Sequence, residues 1–181
     1  MDIFAHSLWN TAIAKKLNNN EKRKSKISII WSIFWGIFPD IFAFGIPSIL
    51  SLYSVIIGGE SFSHISHHGP LIKGVDKTFD LASFLYQYSH SLIIFVLVFG
   101  IVWLIFKKPK IAMLGWMIHI LIDIPSHSLQ FFPTPFLFPV SSYVYPYGVR
   151  WSGQIFMIIN YTALFCVFLY FLIKKKKWFK K

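Results

Sequence analysis

Two apolar runs, Leu81 to Phe106 and Gln154 to Ile173, restrict this chain more than any other feature. Each is long enough to cross a bilayer as a helix, for which about 20 residues suffice. Of the 181 residues, 55% are hydrophobic and only 14% charged, against roughly 25% charged in an ordinary soluble domain. With a mean hydropathy of +0.57, the chain has more apolar surface than one aqueous core of this size can hide. Two further runs are shorter or interrupted. Ile27 to Leu50 contains Gly36, Pro39 and Asp40, and Ile111 to Ile124 is short, although apolar sequence continues past Pro125. A fifth segment, Asp2 to Leu17, would be about 24 Å long as a helix at 1.5 Å per residue. The expected fold is all-α: one integral-membrane domain, 1–181, a polytopic bundle of about five helices. They fall near 2–17 (the short one), 27–50, 81–106, 111–124 and 154–173, with outer loops over 51–80 and 125–153.

Basic residues orient such a bundle, because cytoplasmic loops carry the excess of Lys and Arg. Fifteen of the 18 lie in three blocks: Lys15 to Lys26, Lys107 to Lys110, and Lys174 to Lys181. Only Lys73, Lys77 and Arg150 fall in the two long loops. The blocks and the C-terminus are therefore expected in the cytoplasm and the long loops outside. The net charge of +11 sits in these blocks rather than on one folded face, which argues against nucleic acid. The one cysteine, Cys166, lies in an apolar run, so no disulfide framework or thiolate cluster arises. A signal peptide at the N-terminus is disfavoured, since no basic stretch precedes the apolar residues and His6, Asn10 and Thr11 interrupt them. This segment reads as a short inserted helix with its N-terminus outward, or as an interfacial helix.

An ionisable residue inside a membrane segment is costly and marks a functional site by default. Here they are His6, Asp40, His90, His119 and Asp123. Measured from the nearest basic block, all five reach heights of about 14 to 25 Å, provided that the first segment is inserted. His119 and Asp123 are spaced i, i+4 and share a helix face; His127 continues the series beyond Pro125. Imidazole with carboxylate suits Zn²⁺ or another first-row divalent ion, Mn²⁺ included. Each residue also has a plainer use. His119 can bond a backbone carbonyl, Asp40 can cap the helical stretch after Pro39, and His90 can sit at the membrane interface. His64, His67 and His68 lie in a Gly- and Ser-rich loop and read as solvated. Arg150 is either a bidentate contact for an anionic substrate or an interfacial anchor with Tyr145, Tyr147 and Trp151. The 125–153 loop, rich in Pro and aromatics and almost without charge, reads as a lid packed over the cluster.

In order along the chain, these pieces resemble the membrane-bound metal-dependent hydrolase family of prokaryotic inner membranes. They are His6 in FAHSLWN, Pro39-Asp40, Ser89-His90-Ser91, the GWxxHxxxDxPxH stretch from Gly115 to His127, and FFPTPFLFPVSSY followed by GVRW. The chain departs from that pattern at Phe42, where many members carry a second Asp, and at Leu85 to Gln87, where a basic residue and an extra His often stand. The resemblance implies hydrolysis, with metal ligands drawn from His6, Asp40, His90, His119 and Asp123. The resulting expectation is one divalent ion held by His90, His119 and Asp123, with Asp40 and His6 as further ligands or as general base. An amphiphilic, lipid-like substrate near the outer face would meet Arg150 through a phosphate. The competing readings are a transporter or metal-ion carrier using intramembrane His and Asp, and a structural subunit whose polar residues pack helices. The oligomeric state is left open.

Overall fold

Helix α1 (Ile3–Asn18) starts at Asp2, whose carboxylate accepts from the Ala5 amide at 2.9 Å, and ends on Lys15 and Lys16, cations suited to the negative end of the helix dipole. The computed structural model describes residues 1–19, 25–58 and 77–178. The later helices are α2 (Ile29–Gly58), α3 (Lys77–Ser89), α4 (Leu92–Phe106), α5 (Leu114–Ser126) and α6 (Gln154–Trp178), with a 3₁₀ turn at Ile111–Met113 leading into α5. No strand occurs among the described residues. The chain is a helical membrane bundle in which α2 and α6 are long and apolar enough to cross a bilayer. α3 and α4 are long and apolar enough only when taken together, as one broken span or a re-entrant loop.

Three boundaries differ from the expected ones. The interruption in Ile27–Leu50 does not break the helix: α2 runs 30 residues through Pro39 and Pro47. Asp40 consequently lies inside a helix and caps nothing. Membrane helices tolerate internal proline when neighbouring groups satisfy the freed backbone. Conversely, the 81–106 run is two helices bent by 60°. Ser91 caps α4, its hydroxyl accepting from Ile93 N and Ile94 N at 3.2 Å, and this fixes the break that holds His90. Of the loop expected over 51–80, residues 51–58 belong to α2 and 77–80 to α3, and the rest lie outside the described residues.

α1, α2 and α5 meet where side chains are missing. A Cβ on Gly36 would lie 2.3 Å from Asn10 Nδ2, and one on Gly115 would lie 2.6 Å from the Ser32 carbonyl oxygen. Asn10 fills this crossing, its amide donating to the His6 carbonyl at 3.0 Å. On one side of the crossing Phe95, Trp116 and Ile120 form an apolar core, with Trp35 parallel to Trp116 at 6.1 Å. On the other, Met1, Ala5 and Leu164 bring α6 against α1, joined by a 2.9 Å bond from Trp9 Nε1 to Asn160 Oδ1. The remaining helix faces expose large apolar side chains such as Phe4, Ile30, Leu104 and Ile155, as lipid contact requires.

The 125–153 segment has no regular structure after α5 ends, but it is packed. The Phe132 ring sits among Phe44, Phe79 and Tyr86. Its neighbours seal the α3–α4 break: the Phe136 carbonyl accepts from Leu92 N at 2.9 Å, and the Phe138 carbonyl accepts from the Ser91 hydroxyl.

Candidate metal centre

Four elements deliver the buried polar side chains to one place. α1 brings His6, α2 brings Asp40, the α3–α4 break brings His90, and α5 brings His119 and Asp123. α1 joins the others through His6, whose Nε2 donates to Asp123 Oδ1 at 3.0 Å and whose ring stacks on His119 at 3.6 Å.

At the centre lies a compact group of Asp40, His90, His119 and Asp123, whose ligand atoms all fall within 4.8 Å of one another. The two Nε2 atoms of His90 and His119 are 3.1 Å apart. Asp40 Oδ1 is 3.6 Å from each of them. Asp123 Oδ2 is 3.5 Å from His90 and 3.1 Å from His119. Four ligands at the usual zinc bond lengths of about 2.0–2.1 Å in a tetrahedron stand about 3.3 Å from one another. The separations among these atoms fall on both sides of that value.

The protons fit the same reading. His119 Nδ1 lies 2.7 Å from the Gly36 carbonyl, which can only accept, so Nδ1 carries the hydrogen and neutral His119 turns a bare Nε2 to the centre. His90 Nδ1 is held by Ser89 Oγ at 2.9 Å. An imidazole fixed through its outer nitrogen is the usual state of a metal-binding histidine. Asp123 Oδ2 is buried and, among the described residues, has no hydrogen-bond partner, although His119 Nε2 is only 3.1 Å away. A proton shared by the two Nε2 atoms, or a bound metal ion, would answer the charge of the buried Asp123 Oδ2. The four residues form a buried group able to hold a metal ion.

Asp123 divides its oxygens. Oδ2 faces the His90–His119 pair, whereas Oδ1 takes His6, the Met1 amino group and, at 3.5 Å, His127 Nε2. His127 thus touches the rim. Its Nδ1 donates to the Phe132 carbonyl at 2.8 Å, which ties the irregular segment to the end of α5. Arg150 stands apart: its guanidinium is exposed and its Nε donates to Ser152 Oγ at 2.7 Å. Its chain neighbours bond the end of α5, Val149 N to the Pro125 carbonyl at 2.8 Å and Trp151 N to the Ser126 carbonyl at 3.1 Å. His64, His67 and His68 lie outside the described residues.

Tyr86 belongs to the site and was not singled out in the sequence as one of its parts. Its ring stacks on His90 at 3.7 Å and its hydroxyl donates to the Phe132 carbonyl at 2.9 Å. The signal was its position four residues before His90, one helical turn away. On its far side Tyr86 lines a mostly apolar cavity of about 720 Å³, shared with Phe79, Phe131, Phe132 and Phe138. No protein-family model, curated protein or solved structure matches the chain.

Proposed function

We propose that this protein is a membrane-embedded, metal-dependent hydrolase acting on an amphiphilic substrate, with the His/Asp centre in the outer half of the inner membrane. The observation that carries the reading is the buried set of imidazole nitrogens and carboxylate oxygens on His90, His119, Asp123 and Asp40, all within 4.8 Å of one another. His90, His119 and Asp123 are assigned as ligands, for Zn²⁺ in first place and Mn²⁺ as the alternative. A divalent ion held there supplies an acidified water and polarisation of the scissile bond.

The protein residues divide the remaining work. Asp40 has the longest separations from both histidines and a side chain 10% exposed, whereas those of His90, His119 and Asp123 are 0% exposed. It is the carboxylate that substrate water meets, and it serves as general base. His6 orients Asp123 through the 3.0 Å bond to Oδ1 and buttresses His119 by stacking. The cavity lined by Tyr86 is linked to the centre through that ring, which stacks on His90, and its volume of about 720 Å³ is within the range of about 300–1,000 Å³ common for ligand sites, so it offers room for an apolar group of the substrate. Arg150 is the exposed cation available for a phosphate headgroup.

Metal content by mass spectrometry, on detergent-purified protein beside His119→Ala and Asp123→Ala checked by gel filtration, tests the centre. Near-stoichiometric zinc or manganese, lost in both folded variants, is the expected result; a metal-free wild type after reconstitution would sink the proposal. Release of product from phosphoester and lipid substrates by the loaded wild type, and not by either variant, then tests hydrolysis. Transport in proteoliposomes without hydrolysis would turn the assignment toward an ion carrier.

A further inference from the structure

A second cavity, of about 630 Å³, lies at the basic end of the bundle between the start of α2 and the end of α4. Its walls include Trp31, Trp35, Val102 and Phe106, and its rim carries Lys26 and Lys110. It shares no lining residue with the metal centre or with the cavity beyond Tyr86. We propose that it binds one anionic glycerophospholipid, the phosphate between Lys26 and Lys110 and part of one acyl chain against the Trp31–Phe106 wall.

Local structure fixes the two cations. Lys107 ends α4 in the left-handed conformation, at φ 54°. After Pro109 the chain turns into the 111–113 helical turn, and the Lys110 ammonium stands 4.3 Å over the Phe106 ring. The Lys26 ammonium donates to the Asn18 carbonyl, which uses one of its three hydrogens and leaves two for an anion. Among the described residues neither lysine pairs with a carboxylate, and no acidic side chain lines the cavity. Two cations without counter-charge above an aromatic cleft match the two ends of an anionic lipid, and a zwitterionic lipid leaves that charge unanswered. Trp31 and Phe106, both more than half exposed, put the cleft within reach of the surrounding lipid.

Native mass spectrometry of the purified full chain, titrated with phosphatidylglycerol or phosphatidylcholine of matched acyl chains, is the test. Wild type is expected to retain one phosphatidylglycerol about thirtyfold more tightly than phosphatidylcholine, as two surface lysines provide. Lys26→Gln with Lys110→Gln should abolish the preference, whereas Lys107→Gln with Lys108→Gln should keep it. Val102→Trp, which fills the cleft and leaves both lysines in place, should lower retention of both lipids and stands in if the lysine pair fails to fold. Equal retention of the two lipids by wild type, an unchanged preference in the Lys26/Lys110 variant, or no effect of Val102→Trp overturns the site. Complete displacement of the lipid by excess inorganic phosphate overturns it too, by assigning the cations to a free anion.

Discussion

Gly36 and Gly115 admit the same added methyl group with different consequences. At Gly36 the obstacle is the Asn10 side chain, at 2.3 Å, whereas at Gly115 it includes the Ser32 backbone oxygen, at 2.6 Å. Gly36→Ala is expected to cost about 1–3 kcal/mol by overpacking, and Asn10→Ala in the same chain should recover part of that loss. Gly115→Ala should cost more and recover less from Asn10→Ala, which clears Asn10 Oδ1 at 3.0 Å but leaves the Ser32 oxygen in place; thermal unfolding in detergent reads both. At Tyr86, Phe keeps the ring on His90 and loses the bond to Phe132, so Tyr86→Phe should lose about 0.5–1.5 kcal/mol while keeping the metal. Tyr86→Ala, which also removes the stacking, should weaken metal retention as well, as metal content will show. The five ionisable residues were legible because a charge in an apolar run demands a partner. Tyr86, Asn10 and Gly36 were not, because an aromatic, an amide or a glycine in such a run fits ordinary packing and its role depends on which helix it meets. Arg150 illustrates the converse, a conspicuous residue whose guanidinium turns to solvent and Ser152.

Among the helices, the most informative feature is the break between α3 and α4. Ser91 caps α4 and donates to the Phe138 carbonyl, so Ser91→Ala removes a cap worth about 1 kcal/mol together with one clasp on the irregular segment. The expected outcome is lower thermal stability and, on the proposed metal site, a partial loss of metal, because the break carries His90. A Thr at the same position should restore both. The 81–106 run gave no reason to expect a bend of 60° from its hydropathy, which is what a single span shows. Ser-His-Ser was the local sign, a capping residue ahead of an apolar run. At Pro39 the reverse holds, for a residue that ends most helices in water is carried through the helix expected over 27–50. The His119–Asp123 pair on α5 needed only the i, i+4 rule, since the helix over 114–126 buries both on one face.

On the scale of the whole molecule, the basic blocks assign the Lys107–Lys110 turn to the cytoplasm and the 125–153 segment to the outside. With Cys166 replaced by Ser, a cysteine at Lys108 is expected to react from the cytoplasmic side and one at Tyr147 from the outer side, each with an impermeant maleimide. Labelling of both from one side would reverse the placement of the centre in the membrane. The helical bundle itself was legible from the apolar runs, whereas the way the ligand-bearing elements close on one another was not, since hydropathy says nothing about which lipid-facing surfaces pair. α6 makes the point: it supplies none of the central ligands, yet Asn160 holds Trp9, and Tyr161 donates to Asp2 at the head of α1 at 2.8 Å. Helix α1 is therefore clasped by α6, about 150 residues further along the chain. His6 emerges more than a hundred residues before His119 and Asp123, and the helix that braces its own emerges later still. A nascent chain halted before Gln154 would thus hold all four central residues while lacking the brace on the helix that carries His6.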